Sequence, residues 1–252
     1  MTLLITGAAG AIGTRLAADL AAHGIPLRLL DQRPPHAGPP AGAEFVQADL
    51  RDLDAIEKAA AGISAVVHLA GITQEGPFAD MVGHNITGTH HVLEAARRQR
   101  VPRVVLASSH HVTGLNPAGG PAPLAPDSFY AVSKVTAEAL GHLYAHKTNV
   151  QVVAVRIGSY RDRPTDPRHR ATWLSPRRHH PAVQRRHPAP DRPVPHRVRH
   201  LRQPRVLVAA HRLGRPRLPA RRQRRPAPRD RPAGRPLHGR RLRRRRTPHV
   251  GA

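Results

Sequence analysis

Six apolar runs that show no polar alternation constrain this chain more than any other feature. They lie at 2–6, 27–30, 45–48, 65–70, 104–108 and 150–157. A strand with one wet face alternates, whereas a strand apolar on both sides has to be covered on both sides. Between the runs lie stretches of helical periodicity at 11–22, 52–61, 78–98 and 127–147. In the first, Ile12, Leu16 and Leu20 repeat every four residues and Gly24 stands where a helix ends. The second opens on an acidic turn. Residues 33–42 are rich in Pro and Gly and predict a loop. Strands alternating with helices, joined by right-handed crossovers, predict a doubly wound α/β fold with a parallel sheet. Ligands of such sheets sit at the carboxyl ends of the strands.

Composition divides the 252 residues in two. Residues 1–176 carry 16 Lys+Arg against 14 Asp+Glu and all seven aromatic residues. Residues 177–252 carry 25 Arg, 13 Pro, 8 His and 2 Asp, and lack Lys, Glu, Ser and every aromatic. The first part has the composition of a globular domain. The second cannot bury enough apolar area to offset its chain entropy and is expected to be disordered, with one strand-like run at 206–210. The chain has no Cys, which excludes disulfides and thiolate metal sites. No basic leader precedes the first strand and no apolar run approaches the ~20 residues of a membrane span, so a cytoplasmic protein without membrane contact is expected.

The turn Gly7-Ala8-Ala9-Gly10-Ala11-Ile12-Gly13 joins the first strand to the first helix with G-x-x-G-x-x-G spacing. Glycines there allow a tight turn and close approach of a pyrophosphate to the N–H groups of the helix. This makes the doubly wound fold Rossmann-like. Asp31, 18 residues after Gly13, ends the second strand. A carboxylate there accepts from ribose hydroxyls and repels a 2′-phosphate, which favours NAD over NADP, with Arg33 softening the repulsion. Asp49 and Leu50, after the third strand, are placed to meet the adenine edge; a helix-capping role for Asp49 is the alternative.

Tyr130 and Lys134 are spaced i,i+4 on a helix and share a face. A tyrosine becomes a base near neutral pH only if its pKa falls from about 10 to roughly 7, which needs about 4 kcal/mol. A neighbouring ammonium and a cationic nicotinamide would supply it. Ser109 ends the fifth strand at the same rim and is placed to hold the reacting oxygen.

The glycine turn, Asn85-Ile86-Thr87-Gly88-Thr89, Ser108-Ser109 and the Tyr130/Lys134 pair resemble the extended short-chain dehydrogenases/reductases, the NAD-dependent epimerase/dehydratase family. The resemblance covers residues 1–175. It implies that Ser109, Tyr130 and Lys134 are catalytic and that Asn85 supports the lysine through a proton relay. Within the family, His-Leu-Ala-Gly-Ile-Thr at 68–73, Ser-Ser-His-His at 108–111, Arg-Ile-Gly-Ser at 156–159 and Arg168 before Thr-Trp-Leu-Ser at 172–175 resemble the uronate dehydrogenases. Thr113 stands where sugar-nucleotide epimerases carry Tyr. The resemblance implies that Thr73, Ser109, His110, His111, Ser159 and Arg168 line a sugar site. It implies that the segment Leu69–Thr73, with Leu69, Ala70 and Gly71 foremost, and Tyr160 touch the cofactor. A guanidinium suits a uronate carboxylate, although Arg161, Arg163 and Arg170 make a solvated loop charge the alternative for Arg168. For His110 and His111 the alternative is a residue that caps a strand or points to water. Adjacent histidines diverge, and no H-E-x-x-H occurs, so no metal is expected.

The implied activity is NAD-dependent oxidation of a hexuronate, glucuronate or galacturonate, at C1 to an aldaric acid lactone. Alternatives are a sugar-nucleotide epimerase or dehydratase, or an inactive cofactor- or nucleic-acid-binding protein. The expected division is a catalytic domain over 1–176 and an Arg/Pro-rich tail over 177–252. Three readings of the tail compete: a basic arm, a linker, and a translated frameshift of a GC-rich gene. Its residue types, and a break where the family pattern stops, favour the frameshift. The fold is then C-terminally incomplete, and the chain as written is expected to turn over weakly. No specific nucleic-acid partner is expected, only salt-sensitive adhesion to polyanions. A homo-oligomer is left open.

Overall fold

The structure, a computed structural model, describes residues 1–114, 116 and 123–175, with the side chain of Arg168 excepted, and the backbone of 209–213. The elements follow in the order β1 (Thr2–Thr6), α1 (Ala11–Ala22), β2 (Leu27–Asp31), β3 (Glu44–Gln47), α2 (Leu53–Ala60) and β4 (Ile63–His68). The short α3 (Phe78–Asp80) runs through a π-helical segment, Met81–Thr87, into α4 (Gly88–Arg98). Then come β5 (Arg103–Ser109), a 3₁₀ turn (His110–Thr113), α5 (Phe129–Lys147), β6 (Gln151–Ile157), β7 (Ser159–Tyr160), α6 (Pro167–Thr172) and β8 (Trp173–Leu174). The main sheet has the order β3-β2-β1-β4-β5-β6, all parallel. This is the doubly wound Rossmann-like arrangement expected from the apolar runs, with its order reversing between β1 and β4.

Side-chain alternation explains why both faces had to be apolar. Leu4, Leu30, Val66, Val104 and Leu106 pack into one cluster with Ile56 of α2, Val92 and Leu93 of α4 and Tyr144 of α5. Ile5, Leu29 and Val67 face the other way and pack with Leu16, Ala17 and Leu20 of α1. Burying one such Leu or Val is worth about 1.5–3 kcal/mol. The α1 side is not equally covered along its length. Leu29, Ile5, Val67, Val105 and Val153 lie in register across five strands. The first three are buried, whereas Val105 and Val153 are only half-buried.

The helix expected at 78–98 is present, but its middle is π-helical, a local widening that 3.6-residue periodicity does not reveal. A seventh strand, β9 (Ala209–Leu213), pairs antiparallel with β6. The strand-like run expected at 206–210 is thus found three residues further along and pairs with the sheet's edge. An edge strand offers unpaired N–H and C=O groups, and pairing with them needs backbone rather than apolar side chains. The rest of 177–252 lies outside the described residues.

Candidate active site

The carboxyl ends of the parallel strands open onto a cleft of about 740 Å³ where the strand order reverses. The glycine turn forms one wall. Gly7 has φ +73°, and a Cβ there would lie 2.6 Å from the Ala70 nitrogen; a Cβ on Gly13 would run into the Gly7 carbonyl oxygen. Gly10 is the N-cap of α1 and no side chain caps that helix, so its first-turn N–H groups open on the cleft. Asp31 braces the turn: Oδ2 accepts from the Ala9 N–H at 2.9 Å and Oδ1 from the Gln32 N–H at 2.8 Å. A close-packed glycine wall, an uncapped helix and a strand-end carboxylate together fit a dinucleotide.

Gly7, Gly10, Ala11, Ile12, Gly13, Asp31, Leu50, Leu69, Ala70, Gly71, Lys134 and Tyr160 all line the cleft. Asp49 does not. Its carboxylate accepts from the Arg51 backbone and guanidinium and from Gln32 Nε2, and the Arg51 hydrogen bonds hold its pKa at about 2. Nor does it cap α2; Asp52 does, accepting from the Ala55 N–H.

Ser109, Tyr130 and Lys134 meet at the opposite wall. Ser109 is buried at the end of β5, and Tyr130 and Lys134 project from the first two turns of α5. Burial raises the Tyr130 pKa above its ordinary value of 10.0, and the hydrogen bond with Ser109 opposes that rise. The Lys134 ammonium lies 5.6 Å from the Tyr130 ring centroid and donates to the Ala107 carbonyl at 2.9 Å. Burial lowers its pKa to about 8. In the chain alone burial outweighs the Ser109 hydrogen bond at Tyr130, and the lowering expected of a cationic nicotinamide belongs to the cofactor-bound site.

Asn85 sits behind the cleft rather than on its wall, 3% exposed, within the π segment. Its Nδ2 donates to the Ile72 carbonyl at 3.0 Å and to Ser133 Oγ at 2.9 Å, while Oδ1 accepts from the Ile72 N–H at 2.8 Å. It thus joins the loop after β4 to α5 beside Lys134, and hydrogen-bonds to different partners than the lysine does. A second buried chain fixes its backbone. Thr89 donates to the Asn85 carbonyl at 2.6 Å, so the His68 Nε2–H donates to Thr89 at 3.1 Å, and Thr6 donates to His68 Nδ1 at 2.7 Å. Burial, and then the Lys134 charge, lower the His68 pKa to about 3.

On the sugar side, Thr73, Ser109, His110, His111 and Ser159 line the cleft. His110 Nδ1 donates to the Ile157 carbonyl at the end of β6, at 3.2 Å. His111 Nδ1 lies 2.9 Å from the Asp127 carboxylate, and its ring meets that of Tyr130 edge-on at 5.8 Å. Ser159 and Thr172 hydroxyls are 2.8 Å apart. Arg168 belongs to α6, but its side chain lies outside the described residues. The sequence reading missed Gln32, His84 and His169, which also line the cleft, while Ile72 lies there as the 69–73 segment led one to expect. The neighbours Asp31, Asn85 and Arg168 were the available signal for the three that were missed.

Residues 3–180 match the model of the NAD dependent epimerase/dehydratase family. The chain belongs to that family. Within the NAD dependent epimerase/dehydratase family it is 39% identical over 180 residues to a uronate dehydrogenase of Pseudomonas syringae pv. tomato, covering 69% of this chain and 64% of that protein. It is 41% identical over 177 residues to the uronate dehydrogenase of Agrobacterium fabrum, covering 69% and 66%. A crystal structure of an Agrobacterium tumefaciens uronate dehydrogenase variant complexed with NAD superposes with TM-score 0.63 at 40% identity, covering 69% of this chain and 67% of that one. The chain spans just under two thirds of the length of the uronate dehydrogenases it matches in sequence.

Proposed function

We propose that this chain's site oxidises a hexuronate, glucuronate or galacturonate, at C1 to the aldaric acid lactone, with NAD as acceptor. The observation that carries the reading is Ser109, Tyr130 and Lys134 lining the same cleft as the glycine turn. The identities of 38–41% to uronate dehydrogenases support the substrate class.

The turn at Gly7, Gly10 and Gly13 would hold the pyrophosphate, Asp31 the adenosine ribose, and Lys134 the nicotinamide ribose. Bound oxidised NAD supplies the hydride acceptor and a positive charge that favours the phenolate. Ser109 donates to the C1 oxygen and orients it. The Tyr130 phenolate takes the C1 hydroxyl proton as the C1–H bond breaks, leaving the lactone carbonyl. Lys134 in its ammonium form stabilises the phenolate, and Asn85 holds the helix that carries it.

In this scheme Arg168 holds the substrate carboxylate. Arg168→Ala should raise the uronate KM roughly 10- to 150-fold, the size of a lost charge-assisted bidentate contact, and leave the NAD KM within about twofold. Steady-state kinetics with both substrates varied tests this. An unchanged uronate KM means Arg168 is a solvated loop charge.

A further inference from the structure

We infer that Glu75 is a positioning residue for Tyr130, clamping the main chain of the first α5 turn to the loop that lines the cleft after β4. This rests on the reading of Tyr130 as base. Glu75 Oε1 accepts from the Phe129 N–H at 2.9 Å and Oε2 from the Tyr130 N–H at 3.2 Å. A helix start leaves its first N–H groups without partners, and a local side chain usually serves them. Ser128 does so for the Ala131 N–H. The other two are served by a carboxylate more than fifty residues away, two positions after Thr73 of the cleft wall.

The same loop reaches Tyr130 by a second route. Asn85 brackets Ile72 through both amide atoms and donates to Ser133 Oγ, and Ser133 donates to the Tyr130 carbonyl at 2.7 Å. The main-chain N–H and C=O of Tyr130 are therefore both tied to residues 72–75. A ring contact adds a third tie, Phe78 against Phe129 with centroids 5.3 Å apart. The carboxylate also meets the positive end of α5, which strengthens its hydrogen bonds. A base displaced by an ångström loses a large part of its rate. The clamp thus sets the phenol against Ser109 and the loop against the cofactor together.

The test uses the full chain, with NAD affinity by titration calorimetry, NADH formation per folded molecule, and thermal melting. Glu75→Ala should weaken NAD binding roughly three- to tenfold and lower kcat by about tenfold. Glu75→Gln keeps one acceptor oxygen and should stay within about threefold of the parent chain in both. Asp52→Ala removes the cap of a different helix, α2, and should lower the melting temperature comparably while leaving NAD affinity and kcat within about twofold. If Glu75→Ala melts lower but binds NAD and turns over like the parent chain, Glu75 is only a helix cap and the inference is wrong. NAD affinity decides the matter even where turnover is too slow to measure. Tyr130→Phe is assayed alongside: retained turnover there sinks the base assignment, while a dead Tyr130→Phe with an unaffected Glu75→Ala sinks the clamp alone.

Discussion

Tyr130→Phe is expected to lower turnover by roughly a hundred- to ten-thousandfold, the usual contribution of a general base, while NAD affinity stays within about twofold. The substitution removes one oxygen and keeps the ring, so the edge-on contact with His111 and the main-chain bonds of α5 persist. NAD is to be held by the glycine turn, Asp31 and Lys134, none of which is altered. Turnover above about a tenth of the parent rate would remove Tyr130 from the proton step, because loss of a general base costs about a hundredfold or more.

Acidification should destabilise the fold well before its carboxylates titrate. His68 has a folded pKa of about 3 against an ordinary 6.5, because its imidazole is buried between Thr6 and Thr89. Below pH 6.5 the unfolded chain takes up a proton that the folded chain refuses. Stability from this residue is complete above pH 6.5 and declines as the pH falls towards 3, by about 5 kcal/mol in all. Asp49 and Glu94, each held at about 2 by neighbouring arginines, add their losses only below their ordinary values of 3.8 and 4.5. Among the described groups with a resolved shift, the interval from pH 6.5 to 4.5 therefore belongs to His68. Urea unfolding across it should show stability falling by about 1.4 kcal/mol per pH unit, the slope of one proton. His68→Gln should be less stable at pH 7 but flat over the interval. Equal slopes in the two proteins would rule out His68 as the cause.

The sheet was legible because its strands are apolar on both faces; β1 and α1 lie where periodicity put them. Strand β4 begins and ends two residues earlier than its apolar run, because Leu69 and Ala70 leave the sheet to line the cleft. The glycine turn and the Tyr130–Lys134 spacing are local patterns, and they led directly to the two walls of the site. What escaped is long-range. Glu75 is an ordinary charge in a Gly/Pro-containing loop until α5 arrives beside it, and His68 looks like one apolar-strand position among others until Thr6 and Thr89 close on it. Asp49 has the strand-end position of a cofactor contact, but Arg51, two residues on, engages its carboxylate. The raised Tyr130 pKa escaped too, since desolvation depends on packing that no spacing encodes.

The row from Leu29 to Val153 is buried beneath α1 and only half-buried at Val105 and Val153. Residues 177–252 carry arginines and prolines rather than apolar residues that such a face needs, and we propose that they are read out of frame. The decisive measurement is NADH formation, followed by absorbance, from glucuronate, galacturonate and a neutral aldose, with the chain as written and with the reading frame restored near codon 176. The frame-restored protein should reduce NAD with both uronates, with kcat/KM at least about tenfold above that for the neutral sugar. The chain as written should be at least about tenfold slower, for want of a closed sugar pocket. A frame-restored protein that binds NAD but reduces none of it with either uronate would contradict the proposed function.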